Sequence, residues 1–428
     1  MQAPPAAVAV DAAASPAAAA AGRAWRPVAS AAARRAAPGA AAFRAEVERP
    51  VFEQQLCPWL APEFESVFQP RRVPAGHAGP EDGCSFHVRR AAFEVLAPFH
   101  LRFSDVAPRT LPRAGPGGGG AGGGSAAVAP PGGAAAAPLV RVVDRRDEGA
   151  VGALLRHRAT GRRLLAASTH LFWDPNYPDV KLVHAAALCR GVAEFLDAQC
   201  GPGAAGRVPV VIGGDFNTLP GKWASDQYDR VPAGGCLVSG AYQLLTRGSV
   251  GPDHPDHPIR RSCAGEQRAA AAAGREDGGS SGSGSGSSSG SGGDEGSPSR
   301  RPGRHAGRRR RRRCALGRHA FDSSGLRLES MHVRALGAEP PLTTRTATFD
   351  GTLDYLFLSA GDWEVAAVLS MPYAAGGGPG GGARPPSSVP VGAFGAAPNA
   401  VWPSDHLAVG AELVLLPEGQ SEQSAAAQ

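Results

Sequence analysis

Aromatic side chains are scarce in this chain of 428 residues, at 6% of the total. The hydrophobic share still reaches 43%, mostly because alanine is counted in it. With 58 glycines and 39 prolines as well, much of the length lacks the bulk to fill a core. The expectation is one core of moderate size, interrupted by inserts. Cysteine is equally unhelpful as a scaffold: the seven, at 57, 84, 189, 200, 236, 263 and 314, include no CxxC pair. An odd, scattered set argues against a disulfide framework and for reduced thiols in an intracellular protein. No run of about 18 strongly apolar residues occurs, which argues against a membrane-spanning helix. No internal repeat is visible, so a repeat array is excluded.

Acid is nearly absent from the first 44 residues, where Asp11 stands alone against five arginines in an Ala-rich tract. That composition resembles an organellar transit peptide, with a biased tail as the plain alternative. Cytoplasm or nucleus is the expected compartment and an organelle the other. The formal charge of +6 permits a polyanionic partner, although six consecutive arginines, Arg308 to Arg313, carry much of it. That run reads as a solvated charge cluster, or as a phosphate-binding or nuclear-localisation tract.

Three inserts break the patterned sequence, at 114–138, 261–323 and 374–398, each rich in Gly with Ala, Ser or Pro. They read as expansions within one domain spanning 42–416, with residues 1–41 and 417–428 outside it. Between them, 85–96 looks like two strands around a turn, and 162–171 like a buried strand. Residues 178–200 place Val180, Val183, Ala187, Leu188, Phe195 and Leu196 near helical spacing, opened by Pro178 and Asp179. "VPVVIGGDF" reads as a strand and "AYQLLTRG" as a short helix. "TLDYLFLSA", "WEVAAVLSM" and "HLAVGAELVLL" read as further strands. Strands with helices between them predict a layered α/β domain with stacked sheets.

Polar groups recur where those strands end: Thr169-His170, Asp215-x-Asn217, Asp354 inside "GTLDYLFLS", and Asp405-His406 before the last strand. Each alone has an ordinary structural explanation, as a loop histidine, a turn cap or a turn. Asp354 is the hardest to dismiss, since a carboxylate inside a strand is costly to desolvate unless paired. Together the set suits metal-assisted phosphodiester hydrolysis. A hard cation such as Mg²⁺ needs one or two carboxylates and keeps several waters, with Mn²⁺ the alternative. His406 would be the base, Asp354 its orienter, and His170 and Asn217 the phosphate ligands.

"GGDFNTLPG", "STHLFWDPNYPDVKL", "GTLDYLFLS" and "PSDHLAV" resemble the endonuclease/exonuclease/phosphatase superfamily. Within it they are similar to the branch of carbon-catabolite-repression type deadenylases, nocturnin, Angel proteins and the 2′,5′-phosphodiesterase. The resemblance implies a four-layered α/β sandwich, two packed mixed sheets flanked by helices, with hydrolysis at the sheet edges. It implies Glu46 and Asp405 on the metal side, and His170, Asp215, Asn217, Asp354 and His406 as catalytic residues. It also implies that Pro175 and Phe349 sandwich an adenine, a base read by stacking. The family carries Gln before its metal-binding Glu, where this chain has Ala45. The family's opening strand bears an Asn, and none precedes Glu46 here, so a sheet lacking its first strand is expected.

The leading expectation is a Mg²⁺-dependent 3′-to-5′ exoribonuclease of the poly(A) deadenylase type, with RNA 3′ ends as partner and no membrane. Alternatives are a 2′,5′-oligoadenylate phosphodiesterase or NADP phosphatase using the same site, and a catalytically impaired RNA-binding protein. No protein partner is indicated.

Overall fold

The computed structural model describes residues 7–12, 25–27, 41–71, 81–111, 143, 148–261, 319–373, 395–400, 402 and 404–417. The first insert, most of the other two and the Arg308–Arg313 run lie outside the described residues. The described strands are, in order, β1 (Ala7–Ala12), β2 (Trp25–Pro27), β3 (Ala41–Glu48), β4 (Phe64–Pro70), β5 (Asp82–Arg89) and β6 (Phe93–Arg102). Then come β7 (Gly149–His157), β8 (Arg163–His170), β9 (Val210–Asp215), β10 (Ser249–Val250), β11 (Phe321–Asp322) and β12 (Leu328–Ser330). The last are β13 (Thr344–Arg345), β14 (Asp350–Gly351), β15 (Asp354–Ser359), β16 (Trp363–Leu369) and β17 (Val409–Leu415).

Two large sheets form, in the orders β2-β16-β17-β1-β3-β5-β4 and β12-β15-β9-β8-β7-β6. Strand periodicity decides which residues face which neighbour. Phe43, Phe86 and Val88 of the first sheet meet Leu164, Ala166, Val211 and Leu356 of the second in one buried cluster. The alternate positions of the second sheet, Leu165, Ala167 and Ile212, pack under the long helix Pro178–Cys200 through Leu182 and Leu188. On the far side of the first sheet the helical run Arg49–Leu60 lays Phe52 against Phe68, ring centroids 4.8 Å apart. Helix, sheet, sheet, helix: the four layers that the resemblance implies are present.

The helix at 178–200 has the bounds that its apolar spacing predicts. Pro178 opens it, and the chain leaves it at Gly201, whose φ of 89° suits glycine. The expectation of a sheet lacking its first strand is corrected. β1 pairs antiparallel with β17 and parallel with β3, closing the sheet between them. Its six residues, AVAVDA, carry little strand propensity, so the pairing comes from tertiary context. No helix among the described residues is long and apolar enough to cross a membrane.

Candidate active site

Three strands of the second sheet bring the first three polar groups into a row. β8 runs parallel to β9 with His170 opposite Asp215, and β15 runs antiparallel to β9 with Asp354 opposite Asp215. All three lie at the alternation that faces the first sheet, as Ala166, Val211 and Leu356 do deeper in. The buried strand therefore ends on carboxylates because its last inward position reaches the rim of the sandwich. Gly214 makes the approach possible: with φ 147°, a Cβ there would sit 1.9 Å from the Thr169 carbonyl oxygen.

His406, from the loop before β17, closes one end of the row, its Nδ1 2.9 Å from Asp354 Oδ2. The same carboxylate oxygen accepts from Thr343 Oγ1 at 2.6 Å. Thr343 Oγ1 in turn accepts from the backbone N–H groups of Leu353 and Asp354 at 3.0 and 3.1 Å. Burial works against a charged His406. The charge and hydrogen bond of Asp354, with Asp215 and Asp405, outweigh it and push His406 up to about 10. Burial first, and then the Asp354 charge, push Asp215 up to about 6.

At the other end, Asn217 Nδ2 donates to the Leu171 carbonyl at 3.0 Å and lies 2.9 Å from His170 Nε2. A carbonyl cannot donate, so Leu171 fixes the amide orientation and makes His170 Nε2 the acceptor of the second N–H. The ring proton then sits on Nδ1, on the side of Glu148, whose Oε2 is 4.0 Å away. Glu148 is buried and is held by Arg71 at 3.3 Å. The first sheet contributes Glu46. A bulge between Arg44 and Val47 interrupts the β3–β5 register, and Glu46 sits in it at φ 52°. Its exposed carboxylate reaches to 3.8 Å from His170 Nε2, and Asp215 Oδ2 lies 3.6 Å from the same nitrogen.

Beside this row opens a cavity of 570 Å³, in the size range of small-molecule sites. Pro175 and Phe349, the two residues expected to hold a base, both line it, together with Trp173, Lys181, Asn217 and Tyr228. Phe349 is 42% exposed, so its ring is open to a ligand. Asp405 is placed beside His406 by its carbonyl, which accepts from Thr344 Oγ1 at 2.8 Å. All nine residues singled out in the sequence thus fall at one rim or on the adjoining cavity.

Sequence reasoning missed Thr343, Glu148 and Lys181. Lys181 is buried in the long helix and donates to the Trp173 and Asn217 carbonyls at 3.3 and 2.6 Å. Burial lowers its amine to about 8, against the pull of Asp215. A lysine inside the apolar run "DVKLVHAAAL" is the signal that could have found it.

Among the described residues no group of three or more His, Cys, Asp or Glu side chains is gathered to hold a metal ion. The donor set nevertheless fits a hard cation. Glu46 and Asp215 supply oxygen near one point, and Asp215 is costly to ionise where it stands. A cation that keeps most of its waters asks for no more than one or two such carboxylates.

No protein-family model matches the sequence. A stretch is 30% identical over 155 residues to the CCR4-Not complex 3′-5′-exoribonuclease subunit Ccr4 of Phaeosphaeria nodorum, covering 28% of this chain and 23% of that protein. The Ccr4 subunit of Mycosarcoma maydis is 32% identical over 127 residues, 26% of this chain and 16% of that one. The match thus spans less than a quarter of the length of these curated relatives. Among solved structures, ANGEL2, a 2′,3′-cyclic phosphatase, superposes with a TM-score of 0.50 at 16% identity, over 88% of this chain and 81% of that one. Its complex with adenosine-2′,3′-vanadate gives 0.51 at 17% identity, over 88% and 82%. At such identity the structural likeness is one of fold. The matched stretch of the Ccr4 relatives and the fold shared with ANGEL2 are in line with the endonuclease/exonuclease/phosphatase resemblance read from the motifs.

Proposed function

We propose that this protein is a hydrolase that cleaves phosphodiesters at the 3′ end of RNA, prefers oligo(A), releases AMP and depends on Mg²⁺. One observation carries the reading: the row His406–Asp354–Asp215–His170–Asn217 ends at the cavity that Pro175 and Phe349 line. A base stacked in that cavity leaves its phosphate beside Asn217 and His170, where the Asn217 amide can give up its bond to His170 Nε2 to donate to the phosphate. His406 takes the proton of the attacking water through Nε2, and Asp354 holds its ring through Nδ1. Glu46 and Asp215, which meet near His170, would hold Mg²⁺, and Asp405 would face it from the His406 side. Bound there, the cation would supply positive charge against the phosphate and, by offsetting the carboxylates, bring His406 toward the range where imidazole accepts a proton.

The reading draws its support from the Ccr4 relatives and from this geometry. It is tested with 3′-labelled oligo(A) and oligo(C) of equal length, in Mg²⁺ and after EDTA. AMP release from oligo(A) that EDTA stops, and that D215A reduces by about 10³-fold or more, is the expected result. Metal-dependent trimming that survives D215A would overturn the site. The same row can serve 2′,5′-linked oligoadenylate, NADP or a terminal 2′,3′-cyclic phosphate, so these substrates form the comparison series. Salt-dependent RNA binding with no hydrolysis of any of them would leave a binding protein.

A further inference from the structure

We infer that Lys181 is a positioning residue that holds Asn217 in its working conformation; this rests on the reading of Asn217 as a phosphate-binding group. Asn217 adopts φ 47°, in the left-handed region that a side chain disfavours. Asn tolerates that region better than other side chains, yet it still costs more there than glycine, so contacts that hold it there matter. Here both main-chain groups of Asn217 are tied. Asp215 Oδ1 accepts from its N–H at 2.7 Å, and Lys181 Nζ donates to its carbonyl at 2.6 Å. The side chain of Asn217 has no freedom left once that backbone is set, because its amide already bridges Leu171 O and His170 Nε2.

Lys181 is suited to this role by its location. It projects from the first turns of the long helix, a rigid element, into a buried position where an ammonium must find acceptors. One of the two it finds is the carbonyl of Trp173, on the loop that carries Pro175. The same amino group therefore ties the wall of the base cavity to the residue on the phosphate. Removing it frees the Asn217 carbonyl and lets φ relax toward negative values. The carboxamide then swings off His170.

Two measurements separate this role from ordinary core packing. The first is a kinetic cycle on oligo(A). K181M is expected to lower kcat by about tenfold to a hundredfold with KM little changed, as a misplaced catalytic group does. In an N217A background it should cost almost nothing more, because its route of action is already gone. Multiplicative losses in the double variant would overturn the inference. The second is a stability cycle that needs no activity, so it holds even if oligo(A) is not the substrate. Glycine tolerates φ 47°, so N217G should raise the melting temperature more in the K181M background than in the native one. The same holds if K181M alone does not fold: K181M/N217G folding supports the inference, and a double variant that also fails to fold overturns it. Equal effects of N217G in both backgrounds overturn it as well.

Discussion

At the scale of single residues, the charge on Asp354 sets the character of the row. Its Oδ2 accepts from Thr343 and from the His406 ring, and its charge raises both His406 and Asp215. An asparagine can keep both hydrogen bonds and remove only the charge. D354N is therefore expected to return His406 from about 10 toward the ordinary imidazole range, readable in its ring resonances as a function of pH. The turnover of oligo(A) should fall by about 10³-fold, as when a buried orienting carboxylate is neutralised. An unchanged His406 titration would show that Asp354 is not its governing partner. The partners of Asp354 also show what a sequence can disclose. A carboxylate inside an apolar strand announces itself, since only a partner makes it tolerable. Thr343 does not, because a threonine in a loop is unremarkable until its hydroxyl is seen bridging two backbone N–H groups and a carboxylate.

At the scale of elements, strand ends do most of the positioning, and these were legible. The helix Pro178–Cys200 and strands β8, β9, β15, β16 and β17 follow the apolar periods and the turn residues that bound them. β7 was not read from the sequence: "GAVGALLRH" mixes Gly, Ala and Leu with few β-branched residues, and pairing with β6 and β8 makes it a strand. β1 is harder still, since its partners β17 and β3 are distant in sequence. The bulge that turns Glu46 toward the mouth leaves no mark in "FRAEVE". Gly214 is different. Its φ of 147° and its approach to Thr169 O mean that an added methyl group must part β8 from β9. G214A should destabilise the fold by about 3 kcal/mol, measured as a fall in urea midpoint at unchanged slope. A midpoint within about 0.5 kcal/mol of native stability would mean that the strand ends can yield. The site would then owe its geometry to something other than that close approach.

At the scale of the whole molecule, stability is set against pH by groups the fold buries on both sides of neutrality. His87 and His332 are lowered to about 4 and His184 to about 3, chiefly by burial, so they oppose folding once acid charges them in the unfolded chain. Glu339 acts in the opposite sense. It is buried and accepts a hydrogen bond from Tyr242 at 2.8 Å through Oε1, with the Ser330 hydroxyl as its other polar neighbour. Burial raises it from 4.5 to about 7. A carboxyl raised in the folded state keeps its proton after the unfolded chain has released one. Its stabilising effect is full below pH 4.5, declines through the interval to 7, and is gone above it. The shift corresponds to about 3 kcal/mol. E339Q removes this titration while keeping an oxygen for Tyr242. Unfolding by urea at pH 5 and pH 8 should therefore show the stability difference, variant minus native, rising by about 2 to 3 kcal/mol between the two, since part of the effect is already lost at pH 5. The histidines titrate alike in both proteins and cancel from that difference. Parallel curves would mean that Glu339 ionises in the fold as easily as in water, and that its pocket opens to solvent before the sheets part.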